Sequence, residues 1–282
     1  MSRWRRKSWR QQTPTDNRRV DLHMHSCLSD GKLSPEEIIS LAIGRKLDII
    51  CISDHDLAPK LPAKTYHQEN GCVRVIHGAE MSVQLDGTEQ HFLAYFPKQM
   101  PSSFQDICVD ATKSRALRYE ELREKIGLQG VAPADELAHA GKRALTRLHL
   151  ARAIVDAGHA ASISSVFDQW LRKEEMVDRF PDAQEMILQI KETGGLCFWA
   201  HPPIKKVSLY AKKLKETGLD GVEVFRPYSK KNLKKRMRSL CKTYDFLCSG
   251  GSDSHNDSIG LFSFPAEEIS NWPESFSFPS AS

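Results

Sequence analysis

The sequence predicts an α/β fold in which parallel strands are joined by crossover helices. Short apolar runs, such as residues 48–52 and 196–200, alternate along the chain with segments of helical periodicity. Ser34-Pro35-Glu36-Glu37 is a capping box with proline at the first helical position, and it begins the first helix. Polar side chains follow most of the apolar runs. In barrels and open parallel sheets, chemistry gathers at these carboxyl ends of the strands.

The elements follow one another in a regular order. Apolar runs predict strands at residues 20–22, 48–52, 73–76, 92–96, 196–200 and 245–248. Strand signals are nearly absent from 103 to 192, where helices are predicted at 111–125, 134–140, 145–157, 164–173 and 182–192. Two more crossover helices are predicted, at 208–216 and 229–242. The middle of the chain is therefore expected to be all-helical, with strands on both sides of it.

Candidate metal ligands recur at the ends of these strands. His23 and His25 come at i, i+2 after a short strand, so both side chains point the same way, and imidazole is the commonest metal ligand. The other candidates are Asp30, His55, Glu80, His91, His201, Asp253 and His255. A lone histidine is usually a surface or packing residue. Six histidines and three carboxylates placed in this way instead predict a site for several metal ions.

Other kinds of chemistry are less well supported. His77 is open to two interpretations, because it lies near the predicted site but fits equally well as a packing residue. A Ser-His-Asp triad through Ser254 lacks the nucleophile-elbow pattern around the serine. The seven cysteines are scattered without CxxC spacing, so they predict free thiols in a reducing compartment, the cytoplasm, rather than a disulfide framework.

The order of these motifs resembles the polymerase and histidinol phosphatase (PHP) superfamily. The matching segments are HxHSxxSDG from His23, SDHD from Ser53, GxE ending at Glu80, the AHP around His201 and GGSDSH from Gly250. The resemblance covers about residues 20–262 and is strongest to the small bacterial PHP phosphoesterases. It implies a distorted (β/α)7 TIM-like barrel with an all-helical insertion. The barrel would take residues 20–100 and 190–264 and the insertion 101–189, with a basic N-terminal tail at 1–19 and a C-terminal tail at 265–282.

The resemblance also implies a cluster of two to three divalent metal ions. One metal would take His23, His25, Glu80 and Asp253. Glu80 would bridge to a second metal held by His91 and His201, and Asp30, His55 and His255 would hold the third. Mixed histidine and carboxylate ligands suit Mn²⁺, Fe²⁺ or Zn²⁺, and Mg²⁺ less well. Adjacent divalent ions supply hydroxide near neutral pH and neutralise charge on a phosphoryl group, so no protein nucleophile is expected.

Three residues are candidate substrate contacts. The insertion of the family commonly carries an Arg-Pro-His segment and a later Lys-Gly-Lys-like stretch, and this chain partly matches them with Arg147 and Lys173. After Glu223, where the family usually has a histidine, Arg226 stands instead. Arg226 either substitutes as an anion contact or marks a pocket for a different substrate.

Charge is unevenly distributed along the 282 residues, whose net charge is +4. Residues 205–242 hold thirteen Lys and Arg against three acidic residues. A solvated helix face is the usual explanation of such a run, but a positive surface beside a phosphate-cleaving site also attracts polyanions. No apolar run is long enough to cross a membrane, and no obligate protein partner can be read from the sequence.

Together these features predict a metal-dependent phosphatase or 5′-3′ exonuclease. Its expected substrates are nucleoside 3′,5′-bisphosphates and the 5′ ends of short RNA, attacked by metal-activated hydroxide. Two alternatives stay open: a small-molecule phosphomonoesterase of the histidinol-phosphate type, and a non-catalytic structural PHP domain.

Overall fold

The computed structural model describes residues 16–138, 142–171 and 179–276. The strands are β1 (Arg19–Met24), β2 (Ile49–Ile52), β3 (Thr65–Gln68), β4 (Gly71–Leu85), β5 (Thr88–Phe96), β6 (Leu196–Trp199), β7 (Gly221–Phe225), β8 (Leu247–Gly250) and β9 (Phe264–Pro265). The helices are α1 (Pro35–Gly44), α2 (Ser102–Ile126), α3 (Ala134–Ala138), α4 (Arg147–Asp156), α5 (Ile163–Gln169), α6 (Ala183–Glu192), α7 (Ile204–Thr217) and α8 (Lys231–Tyr244). Two 3₁₀ helices, Ala266–Ile269 and Glu274–Phe276, follow.

Seven strands form a nearly closed barrel in the order β8-β7-β6-β5-β4-β2-β1, with β9 beyond β1 and β3 paired to β4. The predicted α/β barrel fold is therefore confirmed. The expectation that its strands are all parallel is wrong, because β5 runs antiparallel to both β4 and β6. A two-residue turn, Asp86-Gly87 with both φ angles positive, joins β4 to β5 as a hairpin. As a result, the first residues of β5 lie at the same mouth of the barrel as the last residues of the other strands.

β4 is longer than the sequence analysis predicted. It continues through His77 and Glu80 to Leu85, so Glu80 lies inside a strand and not after one. The reason is visible in Met81-Ser82-Val83-Gln84-Leu85, where apolar and polar residues alternate with the two-residue period of a strand. His91 likewise lies within β5.

The segment that follows β8 closes the barrel against β1. The Asp253 amide donates to the His23 carbonyl at 2.7 Å, and the His25 amide donates to the Ser254 carbonyl at 2.9 Å. Gly251 lies at the tightest point, where an added Cβ would stand 2.3 Å from the His23 Cβ. Glycine is therefore required for the backbone approach that brings the two ends of the barrel together.

The helices pack around three apolar clusters, one of which lies between α1 and the strands β1, β2 and β4 and includes Ile38, Ala42 and Ile50. The barrel core includes the fully buried rings of Phe92, Tyr95, Phe198 and Trp199, and α6 adds Met186, Ile187 and Ile190 to it. Helices α2 to α5 form the second cluster around residues such as Tyr119, Leu150 and Ile154. The exact division of the chain into barrel, insertion and tails stays a prediction.

The capping box predicted at Ser34 is present in α1, where Ser34 and Glu37 each accept a hydrogen bond from the other's backbone amide. Across the described ranges, no helix is both long and apolar enough to span a membrane.

We expect Gly251→Ala to lower the free energy of unfolding by about 1–3 kcal/mol, because its methyl group meets the backbone of His23. Gly44→Ala in α1 is the matched control. An added Cβ there has no atom within 4 Å, so this change should raise stability by about 0.4–1 kcal/mol. Urea unfolding of both variants measures the difference. Equal stabilities would contradict the tight closure at Gly251.

Candidate metal centre

The nine predicted ligands lie together at one mouth of the barrel. They come from the last residues of strands, from the loops after them and from the antiparallel β5. By position they are His23 in β1, His25 and Asp30 after β1, His55 after β2, Glu80 in β4, His91 in β5, His201 after β6, and Asp253 and His255 after β8. His201 and Asp253 have φ angles of 31° and 53°. Such left-handed backbone is costly for residues other than glycine and tends to cluster at functional sites.

Glu80 is the central residue of this cluster, with no exposed surface. Its Oε1 lies 2.9 Å from His201 Nε2 and 3.1 Å from His91 Nδ1. The other oxygen, Oε2, lies 3.1–3.3 Å from the ring nitrogens of three further histidines, His55, His25 and His23. One carboxylate therefore stands between two groups of imidazoles, which is the arrangement expected of a bridging ligand.

Asp30 and Asp253 supply the other carboxylates. Asp30 Oδ1 lies 3.2 Å from His255 Nε2, and its Oδ2 lies 3.6 Å from His55 Nε2. Asp253 Oδ1 lies 3.3 Å from His25 Nε2 and 3.5 Å from His23 Nε2. Each carboxylate thus faces two or more ring nitrogens.

The charges in the cluster shift several pKa values. Burial raises the pKa of the Glu80 carboxyl, but His23, His55 and His91 outweigh it and hold this pKa well below its usual value. Burial lowers the pKa of His25, yet the nearby carboxylates of Asp253 and Glu80 raise it to about 10. For His91, the charge of Glu80 likewise overcomes burial and raises the pKa to about 9. Without a metal ion, the cluster therefore binds protons as counterions to its carboxylates.

The donor set fits divalent metal ions. Four of its buried atoms make no hydrogen bond: His25 Nδ1, Asp30 Oδ1, His55 Nδ1 and Glu80 Oε2. Buried polar atoms without hydrogen bonds are rare and call for an explanation such as a missing ion. Ligand atoms within 4.8 Å of one another form four overlapping groups: His25/Asp30/His55/His255, His23/Glu80/His201, His23/His25/Asp253 and His55/Glu80/His91. The site can therefore hold more than one ion.

A layer of acceptors that the sequence analysis did not identify orients the histidines. Glu223 in β7 is buried and accepts from His23 Nδ1 at 3.0 Å and from the His201 amide at 2.7 Å. The backbone carbonyl of Asp253 accepts from His255 Nδ1 at 2.9 Å. Fixing Nδ1 as the donor leaves Nε2 free as a ligand in both rings. The sequence signal for Glu223 was its place in the otherwise apolar run Gly-Val-Glu-Val-Phe.

Asp54 and Asp56 of the SDHD motif have structural partners. Asp54 accepts from the Ser26 amide and from the hydroxyls of Ser26 and Ser29, which holds the loop that carries His25 and Asp30. Asp56 Oδ2 accepts from Arg115 Nε of α2 at 2.5 Å, and both side chains are buried. This pair attaches α2 to the rim of the barrel.

Two of the three predicted substrate contacts lie beside the cluster. Arg147 begins α4, and its Nη2 lies 3.4 Å from Glu89 Oε2. Glu89 also accepts hydrogen bonds from His91 Nε2 and Arg118 Nη2, a role that no sequence motif indicates. Arg226 lines a cavity of about 710 Å³ that also contains Asp253 and His255. Lys173 lies outside the described residues.

His77 is a packing residue and not a member of the cluster. Its Nε2 faces the Leu61 carbonyl at 2.8 Å, and its Nδ1 accepts from the Met100 amide at 2.9 Å. Both ring nitrogens are therefore used in holding loops at the outside of β4.

The fold and the site define an α/β barrel protein with a cluster of histidines and carboxylates at its mouth that can bind metal ions. A profile of the PHP domain matches residues 21–196. The chain therefore belongs to the PHP domain family.

The relatives agree with this assignment. The chain is 27% identical over 251 residues to the 5′-3′ exoribonuclease Rnm of Salmonella typhimurium, covering 83% of this chain and 84% of that protein. It is 23% identical over 189 residues to a 3′,5′-nucleoside bisphosphate phosphatase of Chromobacterium violaceum, covering 65% and 66% of the two chains. A solved structure from Bifidobacterium adolescentis, assigned as a metal-dependent phosphoesterase, superposes with a TM-score of 0.66 at 20% identity, over 91% and 93% of the chains. At that identity, the superposition shows a shared fold.

We expect Glu223→Gln to weaken Mn²⁺ binding by about 10–100-fold while the protein stays folded. A glutamine has one acceptor oxygen, so either His23 Nδ1 or the His201 amide loses its partner. Equilibrium dialysis measures the metal affinity, and circular dichroism verifies the fold.

Asp220→Asn is the matched control for this variant. Asp220 also accepts a backbone amide, that of Cys197 at 2.8 Å, but it precedes β7, at the opposite mouth of the barrel. Its substitution should leave the Mn²⁺ affinity unchanged. Equal affinities for wild type and Glu223→Gln would show that Glu223 does not orient the ligands.

Proposed function

We propose that the chain is a metal-dependent phosphoesterase that hydrolyses phosphate esters of nucleotides, namely nucleoside 3′,5′-bisphosphates and the 5′ ends of short RNA. The observation that carries this proposal is the buried Glu80 carboxylate between two groups of histidines. The names of the exoribonuclease and bisphosphate phosphatase relatives supply the substrate class. The ligand cluster at the barrel mouth and the membership of the PHP domain family support the proposal that this chain hydrolyses phosphate esters as these relatives do.

All nine ligand positions are assigned here to metal binding. Glu80 would be shared between two ions: His91 and His201 would help to hold one of them, and His23, His25 and Asp253 the other. Asp30, His55 and His255 would hold a third ion. Bound divalent ions at this site supply a water molecule of lowered pKa and neutralise phosphoryl oxygens. The ligand set is compatible with Mn²⁺, Fe²⁺ or Zn²⁺, with Mn²⁺ as the proposed ion.

A small cavity supports the placement of the phosphoryl group. It measures about 130 Å³, and its lining includes Asp30, His55 and His91, the three arginines Arg115, Arg118 and Arg147, and Glu89. A phosphate in this space would lie close to candidate metal ligands and to the guanidinium groups of Arg118 and Arg147, which Glu89 holds beside the cluster. Guanidinium groups bind phosphate oxygens in a planar, bidentate geometry. We assign Arg147 to substrate binding on this basis, and Lys173 and Arg226 as further phosphate contacts from their sequence positions.

The proposed compartment is the reducing cytoplasm. Its support is that all seven cysteines, among them the buried Cys51 and Cys197, are free thiols.

Protein reconstituted with Mn²⁺ is expected to release phosphate from adenosine 3′,5′-bisphosphate and mononucleotides from a 5′-phosphorylated RNA oligomer. His201→Ala should lower kcat by more than about 100-fold, because losing a ligand is more severe than the 10–100-fold loss typical of outer-shell changes. Product analysis by chromatography measures both reactions. His67→Ala, at an exposed histidine of β3, is the control and should keep full activity. If both variants kept full activity, the assignment of His201 to the active site would be contradicted.

Metal binding is expected to release protons and to strengthen as pH rises from about 7 to 9. In the metal-free protein, His25 and His91 have pKa values of about 10 and about 9, so they are protonated at pH 7. A histidine ligand must be neutral, so the ion displaces these protons. Titration calorimetry at pH 7 in buffers of different ionisation enthalpy measures the number released. A heat that is the same in every buffer, with an affinity independent of pH, would contradict the raised pKa values.

A further inference from the structure

A basic groove runs along the outside of the barrel beside α8. It has a volume of about 940 Å³ and lies between α8 and the segment from Phe262 to Glu268. Five basic side chains of α8 line it: Lys231, Lys234, Lys235, Arg238 and Lys242. One acidic side chain, Glu268, stands against them. The groove therefore carries a strong positive charge.

The charge on α8 is not explained by the stability of the helix. No acidic residue occurs from Lys231 to Tyr244, so the i, i+4 neighbours Lys231/Lys235, Lys234/Arg238 and Arg238/Lys242 are all pairs of like charge. Such pairs destabilise a helix by about 0.2–0.5 kcal/mol each. Within the described part of the chain, these basic residues form one ion pair, between Arg238 and Glu268.

Helix α7 is equally rich in lysine but differs in this respect. Lys212 faces Glu216 at 4.0 Å, and Lys206 donates to the Thr88 hydroxyl. Lys215 faces Asp245 and donates to its carbonyl. The usual explanation, a solvated face with its own partners, therefore suits α7 better than α8.

The groove adjoins a second cavity, which residues of the metal centre line. This cavity, of about 710 Å³, is lined by Asp253 and His255 of the centre and by Arg226, Tyr228 and Phe262. Phe262 lines both cavities. Arg226 lines the second cavity, and the preceding residue, Phe225, lines the groove. A chain with its end at the metal ions could thus pass Arg226 and Phe262 and continue along α8.

Aromatic side chains accompany this path. Tyr228 is fully exposed, at 103% of its reference surface, and Lys234 Nζ lies 5.9 Å from the centre of the Phe262 ring. A positive groove interrupted by aromatic rings is typical of surfaces that bind single-stranded nucleic acid, because the cations follow the backbone and the rings stack on bases.

We propose that the α8 groove binds the body of a single-stranded RNA whose 5′ end occupies the metal centre. This rests on the proposed function for the position of the 5′ end. Lys231, Lys234 and Lys235 contact backbone phosphates, and Tyr228 stacks on a base near the mouth of the barrel. The chain is then selective for oligomers over mononucleotides, without base-specific recognition.

Binding without turnover tests the groove independently of catalysis. A fluorescent, 5′-phosphorylated RNA of ten nucleotides is titrated with the full chain in EDTA, and anisotropy is followed across a series of salt concentrations. Lys234→Gln/Lys235→Gln should weaken binding by about tenfold at low salt. It should also make the plot of log affinity against log salt shallower by about 1.4, at about 0.7 per lost phosphate contact.

Lys212→Gln/Lys213→Gln is the matched control, since it removes two adjacent exposed lysines from α7. This variant should bind RNA with the affinity and salt slope of the wild type. Tyr228→Ala should weaken binding by about fivefold or more through lost stacking, whereas Tyr228→Phe, which keeps the ring, should not. If the α7 and α8 variants lost the same amount of RNA affinity, the effect would come from net charge alone and the proposal would be overturned. An unchanged salt slope in the α8 variant would overturn it as well.

Turnover of adenosine 3′,5′-bisphosphate separates this proposal from the proposed function. In the proposed binding mode the bisphosphate occupies the metal centre and makes no contact with α8, so Lys234→Gln/Lys235→Gln should hydrolyse it at the wild-type rate while the KM of this variant for the RNA oligomer rises. If the wild type binds RNA through α8 but hydrolyses neither substrate, the proposed function fails and the groove stands. If the wild type hydrolyses the bisphosphate but substitutions in α8 do not change RNA binding, the proposed function stands and the proposal for the groove fails.

Discussion

The structure depends on one buried carboxylate, Glu80, surrounded by imidazoles. A carboxylate without exposed surface is costly unless its charge is compensated and its oxygens are engaged. In this protein the compensation comes from five histidines of five different strands or loops, with nitrogens 2.9–3.3 Å from the two oxygens. All five histidines must lie close to Glu80, and the barrel positions them there because the strands and loops that carry them meet at one mouth. Protons can balance the charge in part, which the raised pKa values of His25 and His91 reflect.

The antiparallel β5 follows from this requirement. His91 must face Glu80 Oε1, and β5 is joined to β4 by a short hairpin in which Ser82 pairs with His91. A parallel β5 would place its first residues at the far mouth of the barrel. The hairpin instead brings His91 and Glu89 to the rim, and Glu89 then connects His91 to Arg118 and Arg147 of the helical region. One reversal of strand direction thus joins the metal centre to the helices that cover it.

Local patterns in the sequence sufficed for the α/β class and for the convergence of the nine residues, whereas the barrel was implied by the resemblance to the PHP superfamily. His23 and His25 are two residues apart at the end of one strand, and the other ligands occur in short motifs within or beside strands. The sequence analysis missed the direction of β5, although a local signal for it exists: Asp86-Gly87, directly after the alternating run Met81–Leu85, is typical of a two-residue hairpin turn. Glu223 and Glu89 were missed because their partners are distant in sequence and a single glutamate carries no motif. The role of Lys173 stays a prediction, because that residue lies outside the described ranges.

The distribution of charge also sets an order of events. Asp30, Glu80 and Asp253 give the mouth of the barrel three carboxylates, with pKa values held below their usual range. A phosphate group that approaches the metal-free centre meets these carboxylates at short range, where the local dielectric screens them weakly. The basic residues of α8 lie further out, and salt screens their attraction for phosphate beyond about 10 Å. They can hold a polyanion near the site, but they do not neutralise the carboxylates of the metal centre. In the proposed function, binding of metal would therefore precede productive binding of substrate; the outer positive charge would capture the polyanion, and the inner ions would take part in the reaction.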